Sequence, residues 1–357
     1  MKRIGLGLLG LLLVVAIVGY ALRGPLTLRL MNRVVARNMA TSLLDELPDG
    51  LHAALCGAGS PLPDPQRSGP CTAVMAGERV FVVDSGSGSS RILSRMRVPQ
   101  GRIEAILLTH FHSDHIDGLG ELLMQRWANG GAETPVPVHG PTGVLEVVEG
   151  LRRAYRQDDR YRVAHHGAET MPPGGAGGQA RAFAVPPPGE GRVLLEDGGL
   201  VITAFAVDHT PVHPAVGYRF DYGGRSVLVS GDTKKDANLQ RFAEGVDLLV
   251  HEALAPQLVA VLTEGARRAD RRRLVKITED ILDYHTSPVE AAEIARDAKV
   301  GHLLYTHIVP PLLLPPMEDL FVQGVDQTWD GPVTVGRDGT LATLPVGSDV
   351  IEVDQLL

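Results

Sequence analysis

Only two cysteines occur in the chain, Cys56 and Cys71, and their spacing fits no Cys-x-x-Cys pattern. Thiolate zinc motifs and disulfide-dense scaffolds are thereby excluded. The sequence leaves open whether the pair bridges neighbouring strands or stays as two buried thiols. Aromatic residues are scarce, 4% of 357, against 41 glycines and 25 prolines, which disfavours a helical bundle and favours many strands and loops. Positive charge is not in surplus either. The formal charge of −8 argues against a general nucleic-acid binder, because phosphate affinity needs a concentrated basic surface. No serine or cysteine nucleophile motif is present, and no short tandem repeat. The hydrophobic fraction of 44% is enough for one large core or two smaller ones.

One long uncharged run exists, Ile4 to Leu22, preceded by Lys2 and Arg3. It reads as a signal peptide or a single spanning anchor over residues 1–22, with a retained anchor favoured. Arg23, Arg29, Arg33 and Arg37 follow it, and the apolar positions between them (Leu26, Leu28, Leu30, Met31, Val34, Val35) have helical spacing. Residues 23–47 therefore read as a juxtamembrane amphipathic segment or an ordinary first helix. The placement expected is membrane-anchored or exported, periplasmic or extracytoplasmic, with a cytoplasmic-facing orientation left open by the arginines.

Beyond residue 48 short apolar runs alternate with breakers. Leu51–Leu55, Thr72–Met75 and Arg79–Val83 read as strands, followed by the turn Asp84-Ser85-Gly86-Ser87-Gly88. Further strands are expected at 193–195, 200–206, 216–220, 226–230, 248–251 and 303–306, and helices at 91–96, after Asp114, at 143–153 and at 289–297. Strands clustered in both halves suggest two facing sheets with helices outside. Residues 167–191, rich in Pro and Gly, read as a mobile surface loop. The basic run Arg267, Arg268, Arg271, Arg272, Arg273, Lys276 reads as a solvated helix face.

The chemistry is concentrated in one string. Residues 110–115 read His110, Phe111, His112, Ser113, Asp114, His115, which packs four potential ligands into six positions directly after an apolar strand. Imidazole nitrogen and carboxylate oxygen are what borderline divalent ions prefer, and one ion cannot use all four. Three more apolar runs end in ligand-type residues: Val207-Asp208-His209, Ser230-Gly231-Asp232-Thr233 and Thr306-His307. Unpaired carboxylates at buried strand ends cost several kcal/mol, so the repetition calls for bound cations.

Together these strings resemble the metallo-β-lactamase fold hydrolases over roughly residues 50–350. The resemblance implies an α/β four-layer αββα sandwich behind the N-terminal anchor or signal segment, with two zinc ions, iron or manganese being alternatives. Carried over, His110, His112 and His209 hold one metal, Asp114, His115 and His307 the other, and Asp232 bridges. His213 competes with His209, which directly follows the apolar run. Leu55-Cys56-Gly57-Ala58-Gly59-Ser60-Pro61, Pro214–Arg219, His251-Glu252-Ala253 and His285-Thr286-Ser287 are similar to the ribonuclease Z and arylsulfatase-like group. That likeness implies that Glu252 orients His285, which protonates the leaving oxygen.

Only 22 residues lie between His209 and Asp232, which leaves no room there for the protruding arm with which ribonuclease Z enzymes grip transfer RNA. The expected activity is thus a dinuclear zinc hydrolase, using a metal-bridging hydroxide held by Asp114 and Asp232, on a small phosphodiester or aryl sulfate. No nucleic acid is expected as a partner. Alternatives are a lactone or carboxylic ester hydrolase, and a non-catalytic metal-stabilised membrane module. Asp84, ending its strand, is a candidate acceptor for a ligand histidine. Tyr218 and Arg219 read as packing residues or substrate contacts. His52, His139 and His302 read as non-catalytic, and His165-His166 as a pair that could flank the substrate mouth.

Overall fold

The computed structural model describes residues 2–357, with side chains described from residue 18 onward. The chain divides into two compact units, Met1–Glu46 and Leu47–Leu357. The first is a single helix α1 (Lys2–Ala40) and a 3-10 turn at Leu43–Glu46. One uninterrupted helix thus covers both of the N-terminal segments expected from the sequence. The expected anchor at 1–22 falls mostly on residues 1–17, whose side chains lie outside the described residues. Among the described residues no helix is long and apolar enough to cross a membrane, and Arg23, Arg29, Arg33 and Arg37 interrupt the apolar positions of the helix beyond residue 22. The membrane-anchored or exported placement, and the signal reading with it, are not carried further.

In the second unit the first half forms β1 (Gly50–Gly57), β2 (Cys71–Ala76), β3 (Arg79–Val83), β4 (Ile103–Leu107), β5 (Val136–Pro141) and β6 (Gly178–Phe183). The second half forms β7 (Gly191–Asp197), β8 (Leu200–Ala206), β9 (Val216–Tyr222), β10 (Arg225–Val229), β11 (Leu248–Leu254), β12 (His302–Val309), β13 (Val333–Val335), β14 (Thr340–Pro345) and β15 (Glu352–Gln355). They assemble into an eight-stranded sheet, ordered β15-β14-β1-β2-β3-β4-β5-β6, and a seven-stranded sheet, β13-β12-β11-β10-β9-β8-β7.

Side-chain alternation decides which residues meet between the sheets. Val227 and Val229 of β10 and Leu248 and Val250 of β11 point inward, with Val74, Phe81, Val83 and Leu107 of the opposite sheet. The Phe81 and Phe220 rings meet across that layer at 6.2 Å. The intervening Leu228, Leu249 and Leu303 face outward and pack with Leu239, Ala291, Ala292 and Ala295 of the helices. Sheets buried on both faces explain why β1, β11 and β12 are uniformly buried.

The connecting helices include α2 (Ser89–Arg95), α3 (Ser113–Ile116), α4 (Leu119–Gly130) and α5 (Val144–His166), then α6 (Ala237–Phe242), α7 (Pro256–Arg268), α8 (Arg272–Asp280) and α9 (Pro288–Asp297). Helix α5 continues well past the expected end at 153, as an amphipathic helix with a largely polar surface. The expected loop at 167–191 is corrected as well: β6 lies within it, pairs in parallel with β5 and buries Phe183 in the inter-sheet core. Its glycines and prolines punctuate the two ends of that strand.

Cys56 and Cys71 form a disulfide with Cα atoms 4.9 Å apart, tying β1 to the start of β2. A cross-link over 15 residues stabilises by about 3 kcal/mol in the loop-closure account. The double variant C56S/C71S should therefore unfold at a clearly lower denaturant midpoint, and an unchanged midpoint in denaturant titration would contradict a structural role for the bond.

Candidate metal centre

Both sheets deliver their chemistry at the C-terminal ends of strands, where open α/β sheets generally bind ligands. Asp84 follows β3, the string His110–His115 follows β4 and opens α3, His209 follows β8, and Asp232 follows β10. Glu252 sits in β11 and His307 in β12. His285 lies just ahead of α9, whose start is fixed by Pro288 and by a capping box between Ser287 and Glu290. The backbone bends sharply at these ends: Asp84 and His307 have φ of 58° and 46°, in the left-handed region that side chains other than glycine seldom adopt. At Gly231, with φ of 62°, a Cβ would come within 2.8 Å of the Val216 carbonyl and 2.9 Å of Thr109 Cβ, so only glycine lets Asp232 turn inward here.

Asp232 is the hub. Its Oδ1 lies 3.3 Å from His115 Nε2, and its Oδ2 lies 3.4 Å from His307 Nε2, 3.8 Å from His110 Nε2 and 3.9 Å from His209 Nε2. Asp114 Oδ2 is 3.3 Å from His307 Nε2 and 3.7 Å from His115 Nε2. His110 Nε2 and His112 Nδ1 approach to 3.0 Å. The donor atoms fall into overlapping groups, each within 4.8 Å: His110, His112, His209 and Asp232; Asp114, His115 and His307; and Asp232, His285 and His307.

The imidazoles are aimed by their far nitrogens. His115 Nδ1 lies 2.8 Å from Asp84 Oδ2, and Asp84 also accepts from the Thr109 N–H and hydroxyl at 2.8 and 2.7 Å. His209 Nδ1 donates to the Tyr284 carbonyl at 2.9 Å. Such outer hydrogen bonds fix the ring orientation and tautomer of a ligand histidine. Glu252 Oε1 accepts from the N–H of Thr233 at 3.2 Å and of Thr286 at 3.0 Å, and lies 3.0 Å from His285 Nδ1.

Charge in the cluster is unbalanced without a cation. Burial alone would raise the Asp232 carboxyl, yet His307, His115 and His110 hold it well below the usual carboxylate range. Burial lowers His307, but Asp232 and Asp114 outweigh it and push it up to about 9. His115 is likewise driven well up, against burial, by Asp232 and Asp84, whereas burial, reinforced by His115, drives His110 well down. The buried His115 Nε2, His209 Nε2 and Asp232 Oδ1 have no hydrogen-bond partner among the described residues. No described lysine or arginine pairs with Asp114 or Asp232. Seven nitrogen and oxygen donors with orphaned buried atoms fit divalent metal ions, which would take the place of the protons now shared among them.

The structure brings together His110, His112, Asp114, His115, His209, Asp232 and His307. His213 joins none of the groups, whereas His209 is buried within one. Asp84 faces His115 as the strand-end pattern suggested, and Glu252 faces His285. Tyr218 is a packing residue whose hydroxyl donates to the Leu108 carbonyl at 2.6 Å, and Arg219 pairs with Asp221. His165 and His166 sit exposed at the end of α5. The sequence reading missed Thr109 and the Tyr284 carbonyl, whose only signal was adjacency to His110 and His285.

Residues 64–330 match the Metallo-beta-lactamase superfamily. Among curated relatives, the Ribonuclease Z of Mycobacterium avium (strain 104) is 39% identical over 265 residues, covering 74% of this chain and 88% of the relative. That of Mycobacterium bovis (strain BCG / Pasteur 1173P2) is 36% identical over 290 residues, covering 81% and 96%. Human tRNase Z, short form, shares the fold with a TM-score of 0.58 at 20% identity, covering 83% of this chain and all of that one. A metallo-beta-lactamase fold protein of Bacillus subtilis superposes with a TM-score of 0.57, also at 20% identity, over 82% and 99%.

The two mycobacterial relatives and the human structure are named as ribonuclease Z or tRNase Z, which overturns three expectations: the small phosphodiester or aryl sulfate substrate, the lactone and membrane-module alternatives, and the absence of a nucleic-acid partner. The small-substrate expectation rested on the short spacer, which folds as the β9–β10 hairpin and shows only where an arm is missing. The expected absence of a nucleic-acid partner rested on that spacer and on net charge, a sum that says nothing of local fields.

Removing Asp84 should loosen the centre without removing a ligand: Asp84→Ala is expected to weaken metal affinity about 10- to 100-fold, and equal affinity in a competitive chelator titration would refute the orienting role. In metal-stripped protein the raised His307 contributes stability that is fully present below pH 6.5 and lost as pH rises through about 9. Tm of the stripped protein should fall across that window while zinc-loaded protein holds steady; a flat Tm in stripped protein would contradict the charge pairing.

Proposed function

We propose that this chain, which belongs to the metallo-beta-lactamase superfamily and to its ribonuclease Z branch, is a metal-dependent phosphodiesterase that cuts RNA. The observation behind the reading is the ring of seven ligand side chains centred on Asp232, with no lysine or arginine among the described residues to balance it. His110, His112 and His209 would hold one divalent ion, Asp114, His115 and His307 a second, with Asp232 between. Zinc suits this nitrogen and carboxylate set best, and iron or manganese would also be accepted. Ions bound there supply a nucleophile from water at neutral pH and neutralise charge on the phosphodiester.

The chain's own residues do the positioning. Asp84 and the Tyr284 carbonyl hold His115 and His209 in place, so the ligand set needs little rearrangement. Glu252, pinned by two backbone N–H groups, faces His285 Nδ1 and so leaves Nε2 as the atom that can hold a proton and release it to the leaving ribose oxygen. His285 lies within 4.8 Å of Asp232 and His307, close enough to the cluster for that transfer.

The test is cleavage of a transfer-RNA precursor by zinc-loaded protein, with metal content measured on the same sample. Cleavage should be abolished by chelator. His285→Ala should lower kcat about 10²- to 10⁴-fold with metal content unchanged, the usual weight of a general acid. Metal-loaded protein that leaves the RNA intact would sink the reading.

A further inference from the structure

Helix α5 carries Arg152, Arg156 and Arg160 at four-residue intervals with Arg153 beside them, so one face bears a ladder of guanidinium groups about 6 Å apart along the axis. They line a cleft of about 570 Å³ in which Glu149 and Asp159 are the acidic residues that oppose them. Its floor is rigid. Trp127, fully buried in α4, donates its indole N–H to the Pro172 carbonyl at 2.8 Å, which holds the Pro173 side of the cleft in place. Arg152 pairs with Glu149 at 3.2 Å and Arg162, off the cleft, with Asp158 at 2.6 Å. Arg153, Arg156 and Arg160 are exposed and make no hydrogen bond or ion pair among the described residues.

That pattern differs from the other arginine-rich surface. On α7 and α8, Arg267 pairs with Glu264 and Glu279, Arg268 with Glu264, and Arg272 with Asp270. Arg267, Arg268 and Arg272 are thus each paired with a neighbouring carboxylate, whereas Arg153, Arg156 and Arg160 of α5 are not. The helix is also tied to the metal centre. Its N-cap, Gly143, packs so closely on Phe111 of the ligand string that a Cβ there would lie 2.8 Å from the ring. From that end the arginines lie about 14 to 26 Å along the helix, at 1.5 Å per residue. A small ester at the metals cannot reach them, whereas a polyanion lying across both can.

We infer that the arginine cleft of α5 is a second contact for the RNA substrate, gripping backbone phosphates remote from the bond being cut. The inference rests on the RNA phosphodiesterase reading and adds to it where the RNA lies. Guanidinium groups suit phosphate because their planar donors bond it bidentately, and such contacts position the nucleic acid without reading its sequence. They also supply a local cationic field on a chain whose net charge is −8.

The variant R156Q/R160Q, made at two exposed positions, should raise KM for a transfer-RNA precursor about ten-fold with kcat unchanged. The slope of log kcat/KM against log salt should become shallower by about 2, roughly 1 for each phosphate no longer held. R267Q/R268Q removes the same charge from the other surface and should leave KM and slope as in the wild type. If wild-type protein cuts no RNA, the functional reading falls and this inference with it. If wild type cuts RNA and R156Q/R160Q matches it in KM and salt slope, or R267Q/R268Q shows the same loss, the cleft inference alone is overturned.

Discussion

A buried carboxylate surrounded by imidazoles is the constraint around which the rest of the structure is arranged. Asp232 lies within 4 Å of four histidines and is almost wholly out of water. Taking such a group from water costs several kcal/mol unless its charge is met. Here it is met by imidazoles that are themselves contested: Asp84 draws on His115, Asp114 on His307, and the Tyr284 carbonyl on His209. Protons satisfy this arrangement only partly, as the orphaned His115 Nε2, His209 Nε2 and Asp232 Oδ1 show. Divalent ions would satisfy it fully, which is why the donor set is more intelligible as a metal centre than as a salt-bridge network.

The fold confines that cost to one edge. Between the sheets the layer is apolar, and the polar atoms collect where the strands stop. Uncommon backbone conformations at Asp84, Gly231 and His307 occur at those same ends, where the chain must turn a ligand inward within a residue or two. A well-packed sandwich can hold such conformations because β3, β10 and β12, the strands that carry them, are buried along nearly their whole length. The disulfide between β1 and β2 and the capping box that starts α9 restrain neighbouring segments in the same way.

The site was more legible than the use made of it. His110, His112, Asp114 and His115 stand out because four ligand-type side chains in six positions would crowd buried charge and imidazole together for no gain unless a cation joined them, and each distant ligand directly follows or closes an apolar run. Asp84 could be anticipated from its place at a strand end. Thr109 and Tyr284 could not, since a hydroxyl or a carbonyl beside a ligand carries no signature of its own. The substrate was misread through global quantities. A charge of −8 hides the guanidinium ladder on α5, and a short spacer excludes one arm but no further RNA contact. Residues 167–191 were misread for a local reason, because breakers that flank a strand look the same in composition as breakers within a loop.

From the sequence alone came the two facing sheets and the ligand types, because hydrophobic periodicity and donor chemistry are local properties, while the grouping of the ligands around two sites was implied by the family resemblance. The tertiary structure decided which nitrogen of each histidine faces the cluster, that His209 and not His213 enters it, that Cys56 and Cys71 are joined, and that β6 closes the first sheet. These are outcomes of which strands lie side by side and which loops meet across the sandwich. No residue carries that information in its immediate neighbours, since the contacts that settle it join positions such as Asp84 and His115, or His209 and Tyr284, that the chain keeps 31 and 75 residues apart.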